Sequence, residues 1–360
     1  MRTQALHFDL PDDRIAQRPA EPRDSARLMV IRRQYHRIEH HRVRDLPDLN
    51  VLGLGDLMVV NDTKVLPALI RGIRCGTGGT VKGLYLGIDD HGLWHVMLET
   101  RGKLQTGEII ELHDHQAQPV LRLQLETHLQ AGNWLARPDR DDDPAQVLAT
   151  IGSMPLPPYI RKARKHAGLA EVEDADAHRY NTVYADQGGS AAAPTAGLHL
   201  TPELLNRLNT VGVRIARVTL HVGLGTFAPV RSERLEDHTL HSERIEVTPS
   251  TIAEIKRTRA QGKRILAVGT TSVRTLESLP EPLPQDGHRG ATDLFIHPDS
   301  GFSFRYTDLL MTNFHLPGST LLALVASLPN VGIDNLLNWY GQAIEDHYRF
   351  YSYGDAMLLA

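Results

Sequence analysis

The pattern of hydrophobic residues changes twice along the chain, and this double change constrains the fold more than any other feature. The apolar segment Leu57 to Val60 ends in polar residues, which is typical of a buried strand that runs into a loop. Short alternating segments then occupy Pro67 to Arg137 and predict a small antiparallel barrel. Further on, helical and strand patterns alternate, as in an α/β layer. We therefore predict an α/β domain made of residues 1–66 and 151–360, with residues 67–150 inserted as a small antiparallel β-barrel domain.

Local signals locate several elements of the α/β layer. Thr201-Pro202 and Thr248-Pro249 each combine an N-cap residue with a proline at the first helical position, so each predicts a helix start. Ile265 to Val268 is a short apolar run that predicts a buried strand, and Ser272 is interpreted as the cap of the following helix. An aromatic run at 348–355 follows the last predicted helix and is not typical of an unstructured C-terminal tail.

Composition narrows the class of protein. Of the 360 residues, 41% are hydrophobic and 23% are charged, so a disordered, collagen-like or coiled-coil chain is not expected. The longest apolar run, Leu321 to Leu328, is too short to cross a bilayer, and the first ten residues lack the apolar stretch of a signal peptide. The single cysteine, Cys75, suits a reducing compartment. We expect a soluble cytoplasmic protein that makes no membrane contact.

Charge leaves nucleic-acid binding open. The net charge of -4 argues against a generally basic surface but allows a local basic patch. Such a patch is available in the basic run at 161–166, which could grip phosphates while Tyr159 or Tyr180 stacks on a base. A basic run is also typical of a solvated helix face, and the acidic stretch Glu171 to Asp176 favours that alternative.

Two segments suggest ligand contacts. The segment 268–274 predicts a strand, a hydroxyl-rich turn and a helix start, which offers backbone N–H groups to a carboxylate or phosphate. An ordinary capped helix is the alternative. The glycines at 223–225 partly match a dinucleotide fingerprint, but Pro229 follows and no apolar helical run begins there. They are better explained by a close backbone approach, with His221 at the strand end.

Histidines form the main group of chemically active candidates. His238, His241 and Glu243 lie close together in the sequence, and His199 and His221 could converge with them in the fold. A metal site is one interpretation, although neither an HExxH motif nor a cysteine pair is present. General acid-base catalysis by a histidine or glutamate is the interpretation that we favour.

Segments spread along the whole chain match one family. They are LPDDRIAQRPAEPRD (10–24), GDLMVVNDTKVLP (55–67), MPLPPYI (154–160), YNTVYADQGGSAAAPTAGLHLT (180–201), VTLHVGLGTFAPV (218–230), HSE (241–243), AVGTTSVRTLES (267–278), TNFHLPGSTLL (312–322) and YRFYSYGDAM (348–357). Motifs such as APTAGLH, TLHVGLGTF and TNFHLP are long and specific. On these residues the chain resembles, from end to end, the S-adenosylmethionine:tRNA ribosyltransferase-isomerases of queuosine biosynthesis.

This resemblance implies a tRNA-modifying enzyme that uses S-adenosylmethionine as a ribosyl donor. The implied acceptor is 7-aminomethyl-7-deazaguanine at the wobble position of a tRNA, and the implied products are epoxyqueuosine-tRNA, adenine and methionine. The family architecture, an α/β domain with an inserted β-barrel, agrees with the hydrophobic pattern. No cofactor beyond S-adenosylmethionine as co-substrate and no metal are expected, and we expect a monomer.

Implied catalytic roles fall on four residues, which would transfer protons and protonate the departing adenine. These are His199, His221, His241 and Glu243. The resemblance implies that the remaining candidates bind substrate. An aromatic face would contact the sulfonium, a helix start would bind the methionyl carboxylate, and loop side chains would hydrogen-bond sugar or base edges. They are Asn61, Thr63, Lys64, Tyr159, Thr270, Thr271, Ser272, Arg274, Asn313, His315, Tyr353 and Asp355. As alternatives, His199 and His315 are structural histidines, and Asp355 is a partner for Arg349.

Four positions depart from the family pattern. Lys64 and Leu69 stand where arginines are usual. Lys64 keeps the positive charge but cannot form the paired hydrogen bonds of a guanidinium. Lys82 replaces a glutamate of the barrel, and Arg244 replaces a tyrosine. These departures leave a non-catalytic tRNA-binding paralogue open as a rival function. The cluster of His238, His241 and Glu243 leaves a metal-dependent hydrolase open as a third.

Overall fold

The computed structural model describes residues 1–129, 132–223, 230 and 232–360. Its strands are β1 (Arg27–Arg32), β2 (Arg37–Arg42), β3 (Leu57–Asn61), β4 (Thr63–Val65), β5 (Leu69–Arg74), β6 (Thr80–Ile88), β7 (Trp94–Thr100), β8 (Ile109–His113), β9 (Pro119–His128), β10 (Asn133–Pro138), β11 (Gln187–Ser190), β12 (Arg214–Leu220), β13 (Glu243–Val247), β14 (Ile265–Val268), β15 (His288–Thr292), β16 (Leu309–Asn313) and β17 (Ala356–Leu359). Its α-helices are α1 (Pro144–Ile151), α2 (Pro158–His166), α3 (Asp176–Arg179), α4 (Pro202–Thr210), α5 (Pro249–Ala260), α6 (Thr270–Glu277), α7 (Thr320–Ala326) and α8 (Ile333–Glu345). None of these described helices is long and apolar enough to cross a membrane.

A nine-stranded sheet is the centre of the α/β layer. Its strand order is β15-β13-β12-β3-β14-β16-β17-β1-β2, and the four strands β12, β3, β14 and β16 are parallel. Along β3, Leu57 and Val59 pack into the core on one face while Met58 and Val60 pack into the core on the other. Burial on both faces explains the continuous apolar run of this strand and confirms its prediction.

Helices cover both faces of the sheet. α5, α6, α7 and α8 contribute buried side chains to one core, and α4 contributes Leu204 and Leu208 to the other. The predicted helix starts are confirmed, since the Thr201 and Thr248 hydroxyls accept hydrogen bonds from backbone N–H groups in the first turns of α4 and α5.

The remaining described strands, apart from β4 and β11, close into an antiparallel barrel in the order β10-β7-β6-β5-β8-β9. α1 covers it with Val147, Leu148 and Ile151, which join the core of the barrel. The predicted fold class, an α/β sheet with a small antiparallel barrel, is thereby confirmed. The domain boundaries at 66/67 and 150/151 stay a prediction.

The chain enters and leaves the barrel at one place. Leu69 and Ser153 exchange backbone hydrogen bonds of 3.0 and 2.9 Å, which joins the first barrel strand to the segment after α1. Gly152 packs so closely on Pro67 that a Cβ at position 152 would lie 1.6 Å from the Pro67 carbonyl oxygen. Two adjacent connections are what an inserted unit requires, because the host sheet must continue on both sides of it.

Candidate active site

A cleft lies at the carboxyl ends of the parallel strands, the edge at which open α/β sheets bind ligands. It is open to solvent, and the space within it, counted out to its mouth, is about 960 Å³. Residues that follow β12, β14 and β16 line this strand-end cleft, together with parts of α2 and of the C-terminal aromatic run. Of the predicted site residues, Tyr159, Thr270, Thr271, Asn313 and His315 line it.

α6 begins at the strand-end cleft, directly after β14. Gly269 precedes it with a φ of 87°, a backbone conformation that glycine adopts without strain. Thr270 and Thr271 line the cleft, so the first turn offers hydroxyls and backbone N–H groups to a bound anion. Ser272 is fully buried and its hydroxyl donates to the Val268 carbonyl at 2.7 Å. The prediction that Ser272 caps the helix is wrong, because the helix begins two residues earlier.

Asn61, the last residue of β3, hydrogen-bonds residues at the strand ends and at the start of α6, next to the cleft. Its side-chain amide donates to the Leu220 carbonyl and to the Thr271 hydroxyl, both at 3.1 Å. Its side-chain oxygen accepts from the backbone N–H groups of Thr63 and Leu220, also at 3.1 Å. Asn61 therefore holds the ends of β3 and β12 against the start of α6, and it is absent from the described lining of the cleft.

Asn313 lines the cleft at the end of β16 and is oriented from behind. Its side-chain oxygen accepts from the Thr195 hydroxyl at 2.9 Å, and its amide nitrogen lies 3.1 Å from His199 Nε2. Burial lowers the pKa of His199 to about 4, against an opposing effect of Asp355. His199 is therefore neutral near pH 7 and accepts the hydrogen bond from Asn313.

His315 lines the same side of the cleft. Its Nε2 lies 2.9 Å from the Thr312 hydroxyl, and its backbone N–H donates to the Tyr340 hydroxyl at 2.9 Å. Burial lowers the pKa of His315 to about 3, so this imidazole is also neutral near pH 7. Neither His199 nor His315 is therefore in the imidazolium form that would act as a general acid at that pH.

Two tyrosine rings and a serine hydroxyl form another wall of the cleft. The rings of Tyr159 and Tyr351 lie 4.5 Å apart between centroids, and the Tyr159 hydroxyl hydrogen-bonds the Ser352 hydroxyl. Burial raises the pKa of Tyr159 to about 12, so its hydroxyl keeps its proton. Sequence reasoning missed Tyr351 and Ser352, although they belong to the aromatic run that it singled out. It also missed Thr195, which lies inside the APTAGLH motif.

His221 follows β12 and precedes Val222, which lines the cleft. Its Nδ1 lies 2.9 Å from the Thr63 hydroxyl, and its ring packs against Gly189. Burial, and after it the charge of Arg244, lower the pKa of His221, so a neutral imidazole is favoured. The glycine-rich motif continues into 224–229, which lies outside the described residues.

Glu243 and Arg274 contact each other, away from the lining of the strand-end cleft. Both are buried, the Arg274 guanidinium donates to the Glu243 carboxylate, and Glu243 also accepts from the Gly223 N–H at 2.8 Å. His241 is exposed. Within the described ranges, no group of three His, Cys, Asp or Glu side chains is arranged to hold a metal ion, His238, His241 and Glu243 included.

Three other predicted residues lie outside the described lining of the cleft. Lys64 is exposed on β4. Tyr353 is buried, and its hydroxyl donates to Asp176 at 3.3 Å. Asp355 is buried and accepts from the backbone N–H of Arg349 at 2.9 Å and from its guanidinium at 3.2 Å. These contacts fit the alternative in which Asp355 is a partner for Arg349.

A second opening, here named the barrel groove, lies between the barrel and the sheet. The space within it, counted out to its open mouth, is about 2310 Å³. It is lined by β5, β6 and β7 on one side and by the start of α2 and the segment 171–174 on another. Leu69, Lys82 and Arg161 line it. Arg164, in the middle of the predicted phosphate-binding run, does not, because it is fully buried in a bidentate ion pair with Asp176.

Comparisons with known proteins find relatives that match this chain along almost its whole length. The model of the queuosine biosynthesis protein family matches residues 3–359. A relative from Desulfitobacterium hafniense, named S-adenosylmethionine:tRNA ribosyltransferase-isomerase, is 46% identical over 360 residues, with both chains fully covered. A relative of the same name from Symbiobacterium thermophilum is 45% identical over 363 residues, again with full coverage of both chains.

A solved structure extends the comparison to the fold. The S-adenosylmethionine tRNA ribosyltransferase of Thermotoga maritima is 32% identical, with 99% of this chain and 100% of that chain covered and a TM-score of 0.55. Fold and site thus define a protein of the class that combines an α/β sheet, a closed barrel and a strand-end cleft. The chain belongs to the queuosine biosynthesis protein family, as the sequence motifs predicted.

Proposed function

We propose that this protein is an S-adenosylmethionine:tRNA ribosyltransferase-isomerase, the activity for which its relatives are named. The acceptor is 7-aminomethyl-7-deazaguanine at the tRNA wobble position, and the products are epoxyqueuosine-tRNA, adenine and methionine. The single observation that carries the proposal is the strand-end cleft, which joins an anion-binding helix start to an aromatic wall. S-adenosylmethionine has the matching parts, a carboxylate at one end and a purine at the other.

The donor is oriented by these two parts of the cleft. Its methionyl carboxylate binds the first turn of α6 at Thr270 and Thr271, where backbone N–H groups and the helix dipole favour negative charge. Its adenine packs against Tyr159 and Tyr351, whose ring spacing of 4.5 Å forms an aromatic surface. Asn313, fixed by Thr195 and His199, hydrogen-bonds the ribose between them.

The reaction needs a base and a way to release adenine. The sulfonium acidifies the adjacent ribose C5′–H, so a base can take that proton and form an ylide, and the protonated base then gives the proton to adenine as adenine leaves. The acceptor amine then attacks the sugar, and methionine is expelled as the epoxide closes. His221 suits the role of base, since its lowered pKa keeps the imidazole neutral and Thr63 orients it. Glu243 and Arg274 act indirectly, by fixing the backbone at Gly223.

Adenine release tests the proposal. The protein is incubated with S-adenosylmethionine and a tRNA that carries 7-aminomethyl-7-deazaguanine, with unmodified tRNA as the control, and adenine and methionine are measured by chromatography. Release only with the modified tRNA, together with a gain in tRNA mass, is the expected result. Binding of tRNA without release would identify a non-catalytic tRNA-binding paralogue instead. Activity that a chelator abolishes would identify a metal-dependent hydrolase.

A further inference from the structure

The barrel carries an unusual charge arrangement on the wall of the barrel groove. Arg71 on β5 lies directly opposite Lys82 on β6, and both side chains are exposed. Like charges in direct opposition destabilise an antiparallel pair. In the described part of the chain neither cation has a carboxylate within ion-pair distance, although Glu99 is the cross-strand neighbour of Lys82 on β7. Two adjacent cations that form no ion pair among the described residues are suited to an anionic partner.

The barrel groove adjoins the strand-end cleft. Ala191 and Ala192 line the groove, and the next residues of the same segment line the cleft. The boundary repeats after β12, where Val222 lines the cleft and Gly223 lines the groove. The two openings therefore meet at both segments, so a nucleic acid bound in the groove would hold its bases next to the cleft.

Charges in the barrel groove are unevenly distributed. Arg161, at the start of α2, adds a third cation to the lining. The acidic lining residues other than Glu99 all lie on the segment 171–174, and the carboxylate of Glu173 is already paired with Arg18 and Arg179. An anionic chain in the groove is therefore favoured along the barrel wall and at Arg161, away from that segment.

We propose that Arg71, Lys82 and Arg161 bind the phosphate backbone of the tRNA anticodon loop in the barrel groove and so direct the wobble base into the strand-end cleft. This inference rests on the proposed function, since it takes the RNA acceptor from there. Each phosphate contact releases condensed counterions, and for single-stranded nucleic acid the affinity then falls with a logarithmic salt slope of about 0.7 per contact.

Salt-dependent binding tests this assignment. The dissociation constant of the tRNA is measured across a salt series for the wild-type protein, for the double variant Arg71→Ala/Lys82→Ala and for Arg161→Ala. We expect binding at low salt to weaken about tenfold in the double variant and the salt slope to fall by about 1.4, two contacts at about 0.7 each. For Arg161→Ala the slope falls by about 0.7. The matched control is Lys103→Ala, which removes an exposed barrel lysine outside the groove lining.

Enzyme assays separate failure of this inference from failure of the proposed function. One outcome overturns the phosphate assignment alone. In it, the wild-type protein releases adenine, but the groove variants show the same salt slope and the same KM for tRNA as the control Lys103→Ala; the proposed function then stands. If the wild-type protein releases no adenine, the proposed function fails by itself. A raised KM for tRNA with an unchanged KM for S-adenosylmethionine supports the inference, and an unchanged Tm shows that the variants are folded.

Discussion

At the scale of single residues, burial decides what each histidine of the site can do. His199 is close to the cleft but enclosed, with a pKa lowered to about 4 by burial, so its role is to accept a hydrogen bond from Asn313. The sequence analysis placed His199 among the candidates for proton transfer, with a structural histidine as the alternative, and its burial favours the alternative. Burial depends on segments far apart in the chain, such as 195–199 and β16, and no local motif encodes it.

The pH dependence of stability tests the state of His199. Its pKa is lower in the folded chain than the ordinary value of 6.5, so the unfolded state binds more protons and stability falls as the pH drops from about 6.5 towards 4. Between pH 8 and pH 5, protonation of His199 in the unfolded state lowers the free energy of unfolding by about 2 kcal/mol. The His199→Gln variant can still accept the hydrogen bond but has no group that titrates in this range. We expect its free energy of unfolding to fall by about 2 kcal/mol less than that of the wild-type protein between pH 8 and pH 5. Urea unfolding at both pH values measures it, and parallel losses in the two proteins would contradict the account.

Asn313 is the residue whose removal tests the cleft most simply. Asn313→Ala deletes the side chain that the Thr195 hydroxyl and His199 orient, so we expect kcat/KM for S-adenosylmethionine to fall about ten- to a hundredfold, the loss of one buried hydrogen-bonded group. Steady-state adenine release measures the effect. Asn335→Ala on α8, whose amide donates to the Val331 carbonyl away from the cleft, is the matched control. Equal activities of the two variants would remove Asn313 from the site.

At the scale of elements, α2 shows how a sequence pattern can conceal its structural role. Its basic residues suggested a phosphate-binding surface, with a solvated helix face as the alternative. Arg164 fits neither, because it is buried and its guanidinium donates to Asp176 at 2.6 and 2.8 Å and to the Gln17 carbonyl at 3.1 Å. Arg161, three residues earlier, lines the barrel groove. Charge and spacing alone could not separate the two arginines, because the difference lies in what packs on each face of the helix.

Substitution of Arg164 gives a prediction for this helix. Arg164→Ala leaves the Asp176 carboxylate buried without its partner, which typically costs about 3–5 kcal/mol. Lys165→Ala, at the next and exposed position, is expected to change stability by less than about 0.5 kcal/mol. Chemical denaturation of both variants decides between a structural and a surface role. A small, equal effect of the two substitutions would show that the buried pair does not stabilise the fold.

The junction between barrel and sheet offers a second prediction at this scale. Gly152→Ala forces a methyl group to within 1.6 Å of the Pro67 carbonyl oxygen, so the two connections must separate. We expect a loss of about 3 kcal/mol or more of unfolding free energy, at the upper end for overpacked sites. Gly76→Ala is the control, since a Cβ there meets no atom within 4 Å. Similar thermal unfolding of the two variants would contradict the close contact.

At the scale of the whole molecule, the order of hydrophobic patterns predicted more than any single motif. A continuous apolar strand, an alternating section and a return to α/β periodicity were enough to predict a barrel within an α/β fold. The strand-end cleft also follows from this topology, because parallel strands end at one edge. The barrel groove could not be predicted, since its walls come from β5 to β7 and α2, and their approach depends on tertiary packing.

The central claim is that S-adenosylmethionine binds in the strand-end cleft as a ribosyl donor. A crystal structure of the protein with bound S-adenosylmethionine tests it most directly. We expect density for the methionyl carboxylate at the backbone N–H groups of Thr270 and Thr271, and for adenine against Tyr159 and Tyr351. Density for the donor outside this cleft, or with its adenine at the start of α6, would contradict the account.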